Sequence, residues 1–206
     1  MKGKGETSFP YTVCGAGGVR TKNHIDNILR FPFLNRIKPL GVSMYKIRIS
    51  NDGDQEQAIA IFNYYIENSM AAYPQKSLPA QAWNFIKSKC IGGTALVAED
   101  AEGIVVGFAL LKSFMELDTF ADTADIGYFI HPDHVGKGLG KLFLARLEEA
   151  ARSFGITTLV ANVSSENSDS IAFHERLGFI KCGEIPGVGK KLGKTFNVLW
   201  YYKNIN

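Results

Sequence analysis

The chain is predicted to fold as one mixed α/β sheet flanked by helices. Three observations carry that prediction. Stretches with strand-type alternation and stretches with helical periodicity are interleaved along most of the length, with strands in the majority. A chain of 206 residues, 46% of them apolar, suffices for a single domain with a sizeable core. Finally, three glycines, Gly136, Gly138 and Gly140, stand between a strand pattern and a well-formed helical pattern.

Residues 1–43 fit neither period. "CGAGGVRTKN" is glycine-rich and "FPFLNRIKPLG" is broken by two prolines, so this segment is expected to be an extension, poorly ordered or outside the domain, which then occupies 44–206. "MYKIRIS" alternates as a strand does. "NDGDQEQAIAIFNYYIEN" opens with an acidic turn and then spaces Ile59, Phe62, Tyr65 and Ile66 as a helix face. "LPAQAWNFIKSK" reads as a second helix, and "TALVAED" with "GIVVGFALLKSF" as a hairpin around "DAEG". "ADIGYFIHP" is another strand, followed by the glycine loop and a helix reaching about Phe154. "ITTLVANVS" is a strand, "NSDSIAFHERLG" a short helix, and "FIKCGEI" and "FNVLWYYKN" the closing strands. Between those last two, "GVGKKLGK", residues 187–194, reads as a flexible basic loop.

Composition narrows the function. The net charge of +3 is uneven: residues 1–43 carry +5 and residues 44–206 carry −2, so the domain gives no reason to expect a nucleic-acid partner. No apolar run approaches the ~20 residues that span a bilayer, and no signal-peptide core follows the first lysines, so no membrane role is expected. Cys14, Cys90 and Cys182 are odd in number and far apart, which points to a reducing cytoplasm and to no metal site or disulfide framework.

The glycine loop is the first chemical signal. A helix N-terminus exposes about four unpaired N–H groups and a partial positive charge, and glycines let a bound group approach the backbone closely. Together they make an anion site suited to phosphate, with Lys137 adding charge at its rim. A plain strand-to-helix turn punctuated by glycine accounts for the same residues. The loop is neither a P-loop nor a dinucleotide fingerprint, since GxxxxGK[ST] and GxGxxG are both missing.

The longer stretch "GYFIHPDHVGKGLGKLFLARLEEAARSFG" resembles the signature of the GNAT superfamily of acetyl-CoA-dependent N-acyltransferases. The usual loop there is [QR]-x-x-G-x-[GA], and this sequence reads Val135-Gly136-Lys137-Gly138-Leu139-Gly140, with Val135 where Arg or Gln is usual. "SENSDSIAFHERLGFIKCGEI", "VGKKLGKTFNVLWYYK" and "IFNYYIENSMAAYPQKSLPAQAW" are similar to the phosphinothricin and methionine-sulfone acetyltransferase family, over about Tyr45 to the C-terminus. The resemblance implies the GNAT fold, a central, mostly antiparallel twisted sheet flanked by helices. It implies acetyl-CoA as co-substrate, held by backbone amides of residues 135–140 and by Asn167, which also suits an N-cap. Amides at Phe129 and Ile130 are implied to face the thioester.

Acetyl transfer to an amine needs a neutral amine, donors for the oxyanion and a proton or stabilisation for the thiolate. Counting back from the loop, the family's base position is Asp125, with Asp122 a nearby rival. His174 matches a substrate-site position, where an imidazole serves as donor or relay, or simply packs. On the acceptor side the resemblance implies roles for Tyr73, Lys191 and Asn197, although Tyr73-Pro74 stands where relatives show Phe-Arg. The expected protein is thus a cytoplasmic, homodimeric N-acetyltransferase without a metal, acting by direct attack on a small amine, an amino acid or its analogue. A protein N-terminus or a polyamine as acceptor, and a non-catalytic acyl-CoA-binding module, are the alternatives.

Overall fold

The computed structural model describes residues 44–206; the expected extension 1–43, and Cys14 with it, lie outside the described residues. Strand β1 (Lys46–Ile49) leads to helix α1 (Gln55–Asn68) and helix α2 (Ala82–Ser88). Strands β2 (Cys90–Glu99), β3 (Val105–Ser113) and β4 (Thr123–Ile130) follow, then α3 (Leu139–Ser153), β5 (Thr158–Ser164), α4 (Ser168–Arg176), β6 (Ile180–Lys191) and β7 (Lys194–Asn204). The described strands form one sheet in the order β1-β2-β3-β4-β5-β7-β6, antiparallel throughout except where β4 and β5 run parallel.

Local chemistry fixes the entry to the first helix. Asn51 and Asp54 form a capping box, the Asn51 side chain accepting from Gly53 N–H and Asp54 accepting from Asn51 N–H. Arg48 on β1 grips Asp54 through both terminal nitrogens at 2.7 Å and donates from Nε to Glu99 on β2. One guanidinium therefore ties strand, helix entry and neighbouring strand together.

Two apolar layers cover the sheet. On one face Ala58, Ile59 and Ile61 of α1 and Trp83 of α2 pack on Ala95, Val97, Phe108 and Leu110. The Trp83 indole N–H finds Ser50 Oγ at 2.9 Å. On the other face Phe143, Leu144, Leu147 and Ala151 of α3 pack on Leu96, Ala109, Leu111, Ala124 and Ile126. Alternation along β3 and β4 assigns each residue to a layer. Leu110 and Phe129 face α1, whereas Leu111 and Ile126 face α3.

Two expectations are corrected. β2 begins at Cys90, earlier than its apolar run suggested. More consequentially, residues 187–194 are not a flexible loop: β6 runs through to Lys191 and pairs with Lys194 across a two-residue turn. Leu192 (φ 47°) and Gly193 (φ 74°) both adopt positive φ there, the signature of a type I′ hairpin. The glycines upstream serve the strand. Gly187 sits at φ 60° in an irregularity between Ile185 and Gly189, and a Cβ on Gly189 would lie 2.2 Å from the Phe196 ring.

Candidate active site

The parallel pair is short. Thr123, Ala124 and Asp125 match Thr158, Leu159 and Val160, after which β4 stays with β3 and β5 stays with β7. The strands part, and a cavity of about 650 Å³ opens between residues 126–130 and residues 161–164. Backbone alternation decides which amides face it. His131 N–H donates to Val106 O at 2.8 Å, so Phe129, Gly127 and Asp125 turn their backbone polar groups toward β3. Tyr128 and Ile130 turn theirs away from β3, and Ile130 O accepts from the Tyr65 hydroxyl at 2.6 Å. Of the two amides expected at a thioester, Ile130 is on the cleft side. Phe129 is not: its N–H faces β3, and its ring packs among Phe62, Tyr65 and Phe108.

The cavity reaches the glycine loop. Gly138 is the N-cap of α3 at φ 85°; no side chain caps the helix, and no acidic residue stands in its first turn. Leu142 N–H bonds to Gly138 O, so the amides of Leu139, Gly140 and Lys141 precede the helical ladder and have no acceptor within it. These amides and the helix dipole form an anion-binding end. Gly140 is small for a packing reason, because a Cβ there would meet the Phe173 ring at 3.0 Å.

Val135, Gly136, Gly138 and Gly140 line the cavity, and so does Asn167, whose side chain caps α4 by accepting from Ser170 N–H. Lys137 and Leu139 do not line it; Lys137 is exposed and the Leu139 side chain lies in the core, so Leu139 has only its amide to offer. The lysine on the wall is Lys141, one helical turn later. Sequence reasoning looked for charge within the loop rather than at the first exposed helix position.

His174 lies on the α3–α4 side, 3% exposed. Its Nδ1 is 2.7 Å from Ser170 O, a pure acceptor, so the ring proton is on Nδ1. Bare Nε2 then accepts from the Tyr128 hydroxyl at 2.6 Å. Burial pushes the imidazole pKa down, against the opposing pull of the Ser170 carbonyl, and burial pushes the Tyr128 hydroxyl up. As arranged, His174 receives a proton rather than donating one, and it fixes a Tyr128 ring that lines the cavity. Tyr128 escaped the sequence reading because only strand register brings it to α4.

Asp125 lies on the opposite face. Its Oδ2 accepts from Lys112 Nζ at 2.7 Å, while Oδ1 is buried and is the one such side-chain atom among the described residues without a partner. Burial pushes its pKa up, more than the Lys112 charge pulls it down. Gly127, two residues on along the same face, lines the cavity, and no atom comes within 4 Å of where its Cβ would stand. A hollow thus adjoins the carboxylate. The rival, Asp122, is exposed in a turn and uses its carbonyl for Thr157 and Thr158.

The three acceptor-side candidates fare differently. Tyr73 stacks on Phe196 at 5.9 Å, and burial, aided by the Asp125 charge, pushes its hydroxyl up to about 12. Lys191 is buried and donates to the carbonyls of Tyr65, Ser69 and Ala72, clamping the hairpin tip to the end of α1. Asn197 spends its amide on Gly187 N–H and Glu184. Lys191 and Asn197 are therefore committed within the fold, and none of the three lines the cleft.

Among the described residues, no helix is long and apolar enough to cross a membrane, and no group of three His, Cys, Asp or Glu is placed to hold a metal. The Acetyltransferase (GNAT) family model matches residues 58–179. The L-amino acid N-acyltransferase MnaT of Escherichia coli is 30% identical over 74% of this chain and 89% of its own. An L-methionine sulfoximine/L-methionine sulfone acetyltransferase of Pseudomonas aeruginosa is 33% identical over 78% of this chain and 94% of its own. The Salmonella typhimurium protein yncA, solved with its cofactor acetyl-CoA, is 28% identical and superposes with a TM-score of 0.70, covering 79% of this chain and 95% of its own.

Proposed function

The chain belongs to the GNAT acetyltransferase family, and from that premise we propose that it transfers the acetyl group of acetyl-CoA to the α-amino group of a small amino acid or amino-acid analogue. The observation that carries the reading is the cleft. It runs from the uncapped N-terminus of α3 to Gly127, and the half-buried Asp125 carboxylate stands two residues before Gly127 on the same face of β4, off the cavity wall. The α3 end fits the coenzyme's pyrophosphate, with Gly138, Gly140 and Lys141 beside it and Asn167 across the cleft. Bound acetyl-CoA supplies the electrophilic thioester carbon and the leaving thiol.

This chain's residues do the rest. Asp125 Oδ1 takes a proton from the acceptor ammonium, freeing the nitrogen lone pair for direct attack; as the C–N bond forms and the C–S bond breaks, the second proton of that nitrogen passes to the leaving thiolate. The Ile130 and Tyr128 amides, turned into the cleft, polarise the carbonyl. His174 holds Tyr128 against the cavity wall. Direct attack fits the cysteines: Cys90 is buried with its thiol pushed up to about 11, far from a ready nucleophile, and neither Cys90 nor Cys182 lines the cleft. The unpaired thiols of Cys90 and Cys182 among the described residues also support a reducing cytoplasm, and the exposed apolar residues along β6 support a homodimer.

The test is a screen for amine-dependent thiol release from acetyl-CoA, with amino acids, their sulfone and sulfoximine analogues, polyamines and peptides as acceptors. Release with amino acids or analogues is expected. Coenzyme binding without release by any amine would make the protein a binding module, and release confined to peptides or polyamines would move the acceptor class.

A further inference from the structure

Lys112 and Asp125 stand opposite each other on β3 and β4, in one row with Cys90 on β2 and Val160 on β5. The other two members are neutral, so the row holds one charge of each sign side by side. Asp125 uses one oxygen on Lys112 and leaves Oδ1 buried without a partner. An ammonium has three donors, and among the described residues Lys112 makes one hydrogen bond, to Asp125; its side chain is 32% exposed. Neither side chain is on the cavity wall itself; the pair holds an unused acceptor and unused cationic donors in the row beside Gly127, which is on that wall. The other acceptor-side lysine, Lys191, has given its charge to three carbonyls.

We propose that Asp125 and Lys112 together read the acceptor as a zwitterion, Oδ1 taking the α-ammonium and the remaining Lys112 N–H groups taking the α-carboxylate. This rests on the amine-acetylation reading above and deepens it, making Lys112 the residue that restricts acceptors to α-amino acids and analogues that keep the carboxylate. The scale suits the ligand. An α-amino acid carries both charges on Cα, through bonds of about 1.5 Å each, and the protein's own charges are 2.7 Å apart. Two opposed ion pairs laid side by side cancel one another's field, which suits a partly buried site. An amine without the carboxylate leaves the Lys112 donors unanswered, and the half-buried setting makes that omission costly.

The experiment compares an L-amino acid with its amide and with its decarboxylated amine, by thiol release, in the wild-type protein, Lys112→Met and Lys112→Arg. An acetyl-CoA titration verifies that each variant is folded. In the wild type kcat/KM for the amino acid should exceed that for the amide by on the order of 30-fold or more, mainly through KM, as for a desolvated charge pair that loses one partner. Lys112→Met should bring that ratio close to one, and Lys112→Arg should restore a preference. A change confined to the basicity of Asp125 would slow all three acceptors alike and leave the ratio intact. A wild-type ratio near one, or a ratio that survives in Lys112→Met, overturns the proposal; if Lys112→Met does not fold, the wild-type ratio and Lys112→Arg decide. Acetyl-CoA binding with no thiol release for any amine instead refutes the acetylation reading itself.

Discussion

At the scale of single residues, two titratable groups stand on opposite faces of the sheet, His174 buried on the cavity wall and Asp125 half-buried near Gly127, and burial works on each in an opposite sense. For Asp125 it favours the uncharged acid, so the base form appears at a higher pH than for an ordinary carboxylate. The rate should therefore climb with pH above the usual carboxylate range near ~4. Asp125→Asn should remove that acidic limb and lower kcat by ~10²-fold or more, while the acetyl-CoA dissociation constant holds; an unaltered pH–rate profile would reassign the base. For His174 burial favours the neutral ring, so its folded pKa lies below the unfolded value near ~6.5. The unfolded chain then takes up the proton first. Stability from this residue is complete above that value and is lost as pH falls through it toward the folded pKa. Melting temperatures measured from neutral pH into mild acid should decline less steeply in His174→Asn than in the wild type, and parallel curves would show that the imidazole is not held neutral.

At the scale of elements, the first turn of α3 is where backbone conformation and ligand chemistry meet. Nothing lies within 4 Å of a Cβ placed on Gly138, but its φ of 85° is left-handed. Gly138→Val therefore acts through the backbone, with a strain of about 1–2 kcal/mol that displaces the amides of the anion site. Calorimetric titration with acetyl-CoA should show weakened binding. Lys141→Ala should weaken it more than Lys137→Ala and flatten its salt dependence, since only Lys141 stands on the cavity wall; equal effects would mean that the coenzyme lies along the outer rim.

The strands and helices around this turn were legible because each follows one period: α1 and α3 by apolar spacing, and β3 and β4 by alternation. The β6–β7 hairpin was not. Gly187 and Gly189 look like loop residues, yet one occupies an irregularity in the strand and the other makes room for Phe196. Counting back from the glycine loop picked out Asp125, and the family resemblance of "SIAFHERLGF" picked out His174. Their partners Lys112 and Tyr128 were out of reach, because cross-strand register and strand-to-helix contact are not written at any fixed spacing.

At the scale of the whole molecule, the first strand and the chain's end are both tied to the sheet within the described residues. β1 is tied in by Arg48, and the chain's end is pinned by Ile205 N–H on Thr157 O and by Arg152 on the Ile205 carbonyl. A protein beginning at Met44 should accordingly unfold in one cooperative transition and keep its activity, and an insoluble or non-cooperative product would make residues 1–43 part of the domain. The two edges of the sheet differ. β1 is four residues long, whereas β6 has twelve and carries exposed Ile180, Ile185 and Val188. A long apolar edge invites pairing with another chain, and Pro186 and the irregularity at Gly187 break its regular ladder without removing the apolar surface. A second copy covering β6 would bury that surface and brace the hairpin whose tip Lys191 fastens to the end of α1, next to the acceptor side. Sedimentation should therefore show a dimer for the wild type and a monomer for Ile185→Lys combined with Val188→Lys. A charge on each residue costs little at a solvated edge and much in an apolar interface. If the double variant sediments as the wild type does, β6 is not the interface. If the monomer forms and acetylates its acceptor with unchanged KM, association does not shape the site.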